Sequence, residues 1–496
     1  MQLFSCIFRR TARFGWFGKW GVLYSGVMTL SAANFRPTLQ IALEAALNHL
    51  ENLDETPVAP RADLATLRER LARPLADEGM PAEEVVTNLV RDTDGGHIGC
   101  AGGRFFGWVV GGSLPAALAA DWLTSAWDEN CTLFASGPAS AVAEEVAGGW
   151  LKEILGLPAR ASFGFVTGCQ MAHTTCLAAA RHRVLAARGW DVEERGLCGA
   201  PAIRILSSDQ RHGTIERSLR LLGLGRGCVV DLPVDDEGRL REDALRGALE
   251  AARGVPTIVL LQAGDLNIGA YDCFETLIPL AHEYGAWVHV DGAFGLWAGA
   301  SPKYRHLLRG VELADSWATD GHKWLNVPYD CGHAFVADGE AHRAAMSHRA
   351  PYLTHAAEGR DAIDWTPEWS RRGRGIATYA ALRQLGRAGV AELIERCCRH
   401  ARRMVNGMGA LEGVDVLWEP EINQGLVRFR DPQGVDHDGW TERVIAQVVQ
   451  SGEAFFGATT WRGRRAMRVS VCNWQTTDGD VERAIGAVSR VLGKGE

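Results

Sequence analysis

The chain has 496 residues, enough for a large buried core and more than one structural unit, and its formal charge of −8 argues against nucleic acid or an anionic membrane as partner. Hydrophobic residues make up 47% and charged residues 23%, ordinary values for a globular enzyme and outside the disordered class, so a small-molecule ligand is the default expectation. The twelve cysteines include no CxxC pair and no zinc-type spacing with histidine; vicinal Cys397-Cys398 falls in a helical pattern, and the set reads as mostly buried thiols of a reducing cytoplasm.

Residues 1–27 carry Arg9, Arg10, Arg13 and Lys19 without an acid, and their apolar run is interrupted too early for a membrane span. A transit-like segment and a misassigned start, with Met28 as the true beginning, both fit; the second is preferred, and 1–34 are set aside as an extension. From Thr38 to Arg73, apolar residues at helical spacing predict two helices split around Pro57 to Pro60, opening an N-terminal helical segment over 35–125. Within it, Arg104-Phe105-Phe106-Gly107-Trp108 places aromatics beside glycine, a core pattern in which Trp108 is also a candidate pocket wall.

A large domain is expected over 126–375. Residues 140–156 have helical periodicity, and Thr167-Gly168-Cys169-Gln170 then opens a helix running to Arg188. A small-residue turn at a helix start offers free N–H groups and the positive dipole end to a phosphate; this one matches no dinucleotide-binding or Walker pattern, and alone it is an ordinary helix start. Apolar strands at Ala202–Ser207, Cys228–Val234, Pro256–Ala263, Ala286–Val290, Ala314–Thr319 and His333–Val336 alternate with amphipathic helices at Arg241–Ala252 and Phe274–Tyr284. That alternation predicts an α/β fold with a mostly parallel sheet covered on both faces.

The strand tips carry the chemistry. His212 follows one strand and Asp291 ends another, although an Asp there also serves as a helix cap. Asp320-Gly321-His322-Lys323-Trp324 puts a lysine at the mouth of the sheet, where an amine held partly neutral can attack a carbonyl; most His-Lys pairs are merely solvated. Residues 376–496 read as a C-terminal α+β small domain, with helices over 376–388, 390–410, Gly439–Ser451 and Asp478–Leu492 and strands at Leu426–Phe429 and Ala466–Val471. Arg468 on the last strand suits a substrate carboxylate or an ion pair tying the two domains.

Together, the helix start at 168–170, His212, Asp291 and Lys323 supply an anion cradle, a stacking ring, a carboxylate for a pyridine nitrogen and an imine-forming amine, the needs of pyridoxal 5′-phosphate. Asp320-Gly321-His322-Lys323-Trp324, with His289-Val290-Asp291-Gly292-Ala293 and Asp209-Gln210-Arg211-His212, resembles the group II pyridoxal-phosphate amino-acid decarboxylases, which include the aromatic-L-amino-acid, glutamate and tyrosine decarboxylases, over roughly residues 35–490. The resemblance implies a fold-type I enzyme with a seven-stranded sheet, a homodimer with interface active sites, and decarboxylation of an L-amino acid through an imine on Lys323. It further implies that Asp291 pairs with the ring nitrogen, that His212 stacks on the ring and that Ala293 lies on the opposite face. Cys169, Gln170 and His322, with Ser316 or Asp320, would hold the phosphate, and no metal is expected. Trp108 and a partner-subunit segment around Trp127 to Phe134 would shape the substrate pocket.

The sequence departs from that family where animal members carry a loop tyrosine as proton donor: the matching segment, 352–372, has only Tyr352 at its start, with His355 and Trp365 as substitutes. Aldehyde synthesis or transamination in the same site is therefore the alternative expectation. A catalytically silent dimerising homologue is a further one, against which the retained lysine speaks.

Overall fold

The computed structural model describes residues 35–348 and 359–493. The N-terminal extension, Tyr352 and His355 fall outside them. Among described residues, those up to Asn48 with Ala62–Gly96 form one compact unit, and His49–Arg61 with the chain from His97 onward form a second. The first unit is helical, with Leu64–Leu71 and Ala82–Thr93 as its later helices. Asp63 caps the former by accepting the Thr66 N–H at 2.8 Å.

The second unit contains both sheets. Seven strands, β1 (Ser162–Val166), β2 (Arg204–Ser208), β3 (Val229–Leu232), β4 (Thr257–Gln262), β5 (Trp287–Asp291), β6 (Ser316–Asp320) and β7 (Gly332–Val336), lie in the order β1-β7-β6-β5-β4-β2-β3. Only β7 runs against its neighbours, so the sheet is the mostly parallel one that the strand–helix alternation predicts. Every residue of β4, β5 and β6 is buried, which explains why these strands read as continuous apolar runs rather than alternating ones. Helix Cys169–Ala186 lies on β5, β6 and β7, its Ala178-Ala179-Ala180 run letting it settle close.

A second, antiparallel sheet orders β8 (Val414–Trp418), β9 (Gln424–Phe429), β10 (Gly457–Trp461) and β11 (Arg464–Ser470) as β10-β11-β9-β8. Two helices expected after residue 376 are present as Gly375–Gly409, broken at Gly386, where φ is 61°. The boundary expected at 125/126 falls inside helix Pro115–Trp127, and that at 375/376 falls at the start of the long helix. The structure also adds elements that the sequence reading passed over: helices Ala82–Thr93 and Gly339–Met346, and strands β8 and β10.

Candidate active site

The residues singled out at strand tips converge because six strands end on one side of the sheet, the side where open α/β folds bind ligands. A cavity of ≈ 470 Å³ there is lined by Gly168, Cys169, Gln170, His212, Asp291, Ala293, Asp320, His322 and Lys323, with Trp108 and Arg468 at its walls. Of the residues expected to hold the cofactor, only Ser316 is missing from this lining.

The lysine turn is built on Asp320. Its Oδ2 is 3.0 Å from Lys323 Nζ, while Oδ1 accepts the Cys169 N–H at 2.5 Å and is 3.4 Å from His322 Nε2. Burial would lower the Lys323 amine, but the Asp320 carboxylate outweighs it and holds the amine protonated beyond the ordinary lysine range. Asp320 thus stands as the lysine's counter-ion, its other oxygen taking the first N–H of the helix start. The Cys331 N–H donates to His322 Nδ1 at 3.2 Å, leaving the His322 hydrogen on Nε2.

The turn is pinned from behind. Asn326, at φ 56°, accepts the N–H groups of Gly112 (2.8 Å) and Trp474 (2.9 Å) and donates to Trp324 and Cys472 carbonyls, joining three distant segments. The 110–112 segment presses on the turn so closely that a Cβ at Gly111 would lie 2.0 Å from the Lys323 carbonyl oxygen.

Asp291 ends β5 on the cavity floor, where its Oδ1 accepts the Ala293 N–H at 3.1 Å. It caps no helix, the next helical turn beginning after Phe294. Burial alone would raise its pKa, yet His173, His212 and Lys323 hold it well below the usual carboxylate range. A permanently ionised carboxylate is what a protonated ring nitrogen requires. Behind it stands His173, with Nε2 3.5 Å from Asp291 Oδ2.

Ser316 belongs to this buried back wall and not to a phosphate site. It is the first residue of β6, four steps or about 13 Å of strand from Asp320. Its hydroxyl meets His289 Nδ1 and Trp287 Nε1, each at 2.9 Å.

His212 caps the helix Gly213–Leu221, its Nδ1 accepting the Thr214 N–H at 3.3 Å, so Nε2 is left for the cavity. Burial under the surrounding walls lowers its pKa against the pull of Asp291. Arg468 Nη1 donates to the Leu266 carbonyl at 2.7 Å, its Nε is buried without a partner, and it forms no ion pair among the described residues. The interdomain ion pair considered from the sequence is thus not made. Trp108, at φ 53°, is 56% exposed and tilts on Phe455 at 5.4 Å. Trp365 lies away from the lining, packed on His342 and Arg360.

The sequence reading missed His173, His289, Gln262 and Tyr329. Tyr329 lines the cavity and stacks on His322 with ring centroids 4.3 Å apart. Gln262 ends β4 beside Asp291, a strand-tip position that could have flagged it. Cys169 Sγ, His173 Nε2 and an Asp291 oxygen lie within 4.8 Å of one another, a set able to hold a metal ion. Burial, followed by the Asp320 and Asp291 charges, pushes the Cys169 thiol well up, which favours a proton on sulfur over a metal.

A flat phosphorylated pyridine aldehyde fits this donor set. Gly168, Cys169, Gln170 and His322 surround the helix start, Lys323 offers the amine and Asp291 the carboxylate, with His212 and Ala293 in the same lining. Residues 97–431 match the family profile described as Pyridoxal-dependent decarboxylase conserved domain. The chain is 25% identical to an aromatic-L-amino-acid decarboxylase of Bacillus atrophaeus over 460 residues, covering 91% of this chain and 94% of that one. It is 26% identical to a 4-hydroxyphenylacetaldehyde synthase of Rhodiola rosea over 433 residues, 84% of this chain and 86% of the relative. Its fold superposes on that of Oryza sativa TDC, solved with PLP and tryptamine, with a TM-score of 0.87 at 23% identity, covering 95% and 99% of the two chains. A profile spanning more than half the sequence, and laid over the very strand tips that build the cavity, places the chain in the pyridoxal-dependent decarboxylase family, with pyridoxal phosphate as its cofactor.

Proposed function

We propose that the protein decarboxylates an L-amino acid, working as a cytoplasmic homodimer. The observation that carries this reading is that Lys323, Asp291 and Arg468, which has no acidic partner among the described residues, face one cavity.

Bound pyridoxal phosphate supplies an electron sink for the bond broken at the substrate α-carbon. Lys323 would hold the cofactor, and its free amine, kept in the protonated form by the Asp320 carboxylate, places a proton at Nζ facing the cavity. Asp291 keeps the sink charged. Gly168, Cys169, Gln170 and His322 hold the phosphate end, and His212 and Ala293 confine the ring.

Trp108, Val109, Val110, Leu266 and Phe294 give the cavity apolar walls. A substrate carboxylate against them is destabilised relative to uncharged carbon dioxide, whereas one seated on Arg468 is stabilised as an anion. The apolar walls accordingly favour the departure of a carboxylate held against them, with Arg468 in the same lining to draw the anion in.

A second reading, aldehyde synthesis or transamination, is supported by the likeness to the Rhodiola rosea aldehyde synthase. The two separate on a panel of L-amino acids incubated with holoenzyme while carbon dioxide, hydrogen peroxide and keto acid are measured. Carbon dioxide with amine and no peroxide is the expected outcome; carbon dioxide released with aldehyde, ammonia and peroxide would establish aldehyde synthesis, keto acid without carbon dioxide would establish transamination, and either would end the simple decarboxylase reading.

The dimer is supported by Trp122, Leu123 and Trp127, all exposed on helix Pro115–Trp127, and sedimentation of a monomer at micromolar concentration would contradict it. No helix among the described residues is long and apolar enough to cross a membrane. Recovery in a membrane or extracellular fraction would refute the cytoplasmic assignment.

A further inference from the structure

The four side chains behind Asp291 lie in single file. Trp287 Nε1 is 2.9 Å from Ser316 Oγ, Ser316 Oγ is 2.9 Å from His289 Nδ1, His289 Nε2 is 2.9 Å from His173 Nδ1, and His173 Nε2 is 3.5 Å from Asp291 Oδ2. Ser316, His289 and His173 are fully buried and Trp287 nearly so, which leaves the file without water to supply alternative partners.

Its direction follows from the far end. An indole N–H only donates, so Ser316 Oγ accepts there, and the hydroxyl hydrogen has His289 Nδ1 beside it as acceptor. His289 then bears its own hydrogen on Nε2 and gives it to His173 Nδ1. This sets the His173 hydrogen on Nε2, the atom facing Asp291. The reversed order would strand the Ser316 hydroxyl hydrogen in a dry site and turn a nitrogen lone pair toward a carboxylate, with only the weak Cys169 S–H, 3.3 Å away, to bond it. Burial pushes His289 down to about 3, so this link stays neutral across the physiological range and cannot reverse by taking up a proton.

We infer that Trp287, Ser316, His289 and His173 are positioning residues: a one-way hydrogen-bond file that fixes the His173 tautomer and thereby holds Asp291 ionised and oriented toward the cofactor's ring nitrogen. One end of the file is an ordinary β5 core residue, and the other is the carboxylate on which the electron sink depends. The inference rests on Asp291 pairing with the ring nitrogen, and the experiment distinguishes failure of that pairing from failure of the file.

Holoenzyme is reconstituted with pyridoxal phosphate carrying ¹⁵N in the ring, and the nitrogen shift is read as a measure of its protonation for wild type, Asp291→Ala, His173→Phe and Ser316→Ala; cofactor affinity is titrated in parallel. Ser316→Ala removes a hydroxyl that never reaches the cavity, so a purely structural role would leave the ring nitrogen untouched. The expected result is a protonated nitrogen in wild type, a shift toward the unprotonated value in His173→Phe and a smaller one in Ser316→Ala. Cofactor affinity should fall ~2–10-fold for the lost hydrogen bond in Ser316→Ala and further in His173→Phe. Wild-type shifts in both variants, each folded and loaded with cofactor, would overturn the file, whatever happens to turnover. Should His173→Phe fail to fold, Ser316→Ala decides alone. If Asp291→Ala too leaves the nitrogen as in wild type, the pairing itself is wrong and the file has no function to serve.

Discussion

Asp320→Asn isolates what the counter-ion does to the lysine. The carboxylate oxygen is 3.0 Å from Lys323 Nζ, and two unit charges at that separation attract by about 5 kcal/mol at an effective dielectric of about 20, a ceiling near 4 pKa units. Burial opposes the same charge and Asp291 still faces it, so the fall on substitution should be about 1–3 units. Asparagine keeps an oxygen for the Cys169 N–H, and the helix start should stay capped. Only the neutral amine forms an imine. Below the lysine's pKa its fraction rises tenfold per unit of downward shift, so apoenzyme should join pyridoxal phosphate ~10- to 1,000-fold faster at pH 7 than wild type. Stopped-flow absorbance after mixing apoenzyme with cofactor, repeated across pH 6 to 10, compares the two rate profiles below their midpoints, where each unit of downward shift multiplies the rate about tenfold. A profile that moves by less than about half a unit would refute the assignment of Asp320 as the group holding the proton on Lys323.

Lys323→Ala should abolish borohydride-fixed cofactor while leaving the thermal transition in place, checked by mass spectrometry and calorimetry. Asp291→Ala should retain cofactor held at the phosphate end but lose most turnover; near-normal kcat would sink the ring-nitrogen role. Arg371→Met takes from buried Glu144 the partner that donates at 2.8 Å and leaves it Arg360 alone, at 3.1 Å, and should cost at most about 3–5 kcal/mol in urea unfolding. His289, His333 and His342 are each pushed down to about 3 by burial, so they stay neutral in the fold while the unfolded chain protonates them as pH falls through 6.5. Stability should therefore be flat from this source above pH 6.5 and fall below it, by at most about 4 kcal/mol per pH unit for three protons; equal unfolding free energies at pH 7 and pH 5 would contradict this.

What the sequence disclosed depends on how local the determining pattern is. Asp291 and Lys323 each follow an unbroken apolar strand and precede small or turn residues, and such a strand in a parallel sheet must end on the ligand side. Their convergence needed no knowledge of long-range packing. Ser316 was misplaced for a reason of the same kind: it opens β6 where Asp320 closes it, and a phosphate at the carboxyl end of the sheet is out of reach of a side chain at the amino end. The position within the strand, had it been weighed, would have excluded it. The edge strand β10, Gly457–Trp461, gave no signal because only its last residue is fully buried, so it carries little hydrophobic pattern.

His173 and His289 show the limit from the other side. They are 116 positions apart, one inside a helix and one inside a strand, and each alone is an unremarked core histidine. Only the parallel pairing of β5 with β6, which sets His289 opposite Ser316, and the seating of helix Cys169–Ala186 over them make a continuous file ending at Asp291. Chemistry placed at a strand tip is thus readable from its own neighbourhood. The groups that tune it are readable only after the sheet order is known, because a hydrogen-bond partner is chosen by register and helix docking rather than by proximity in the chain. The same reasoning bears on Tyr329: it reaches the cavity through the turn after Lys323 and its stacking on His322, a placement set by the pinning of that turn at Asn326 and not by any motif of its own.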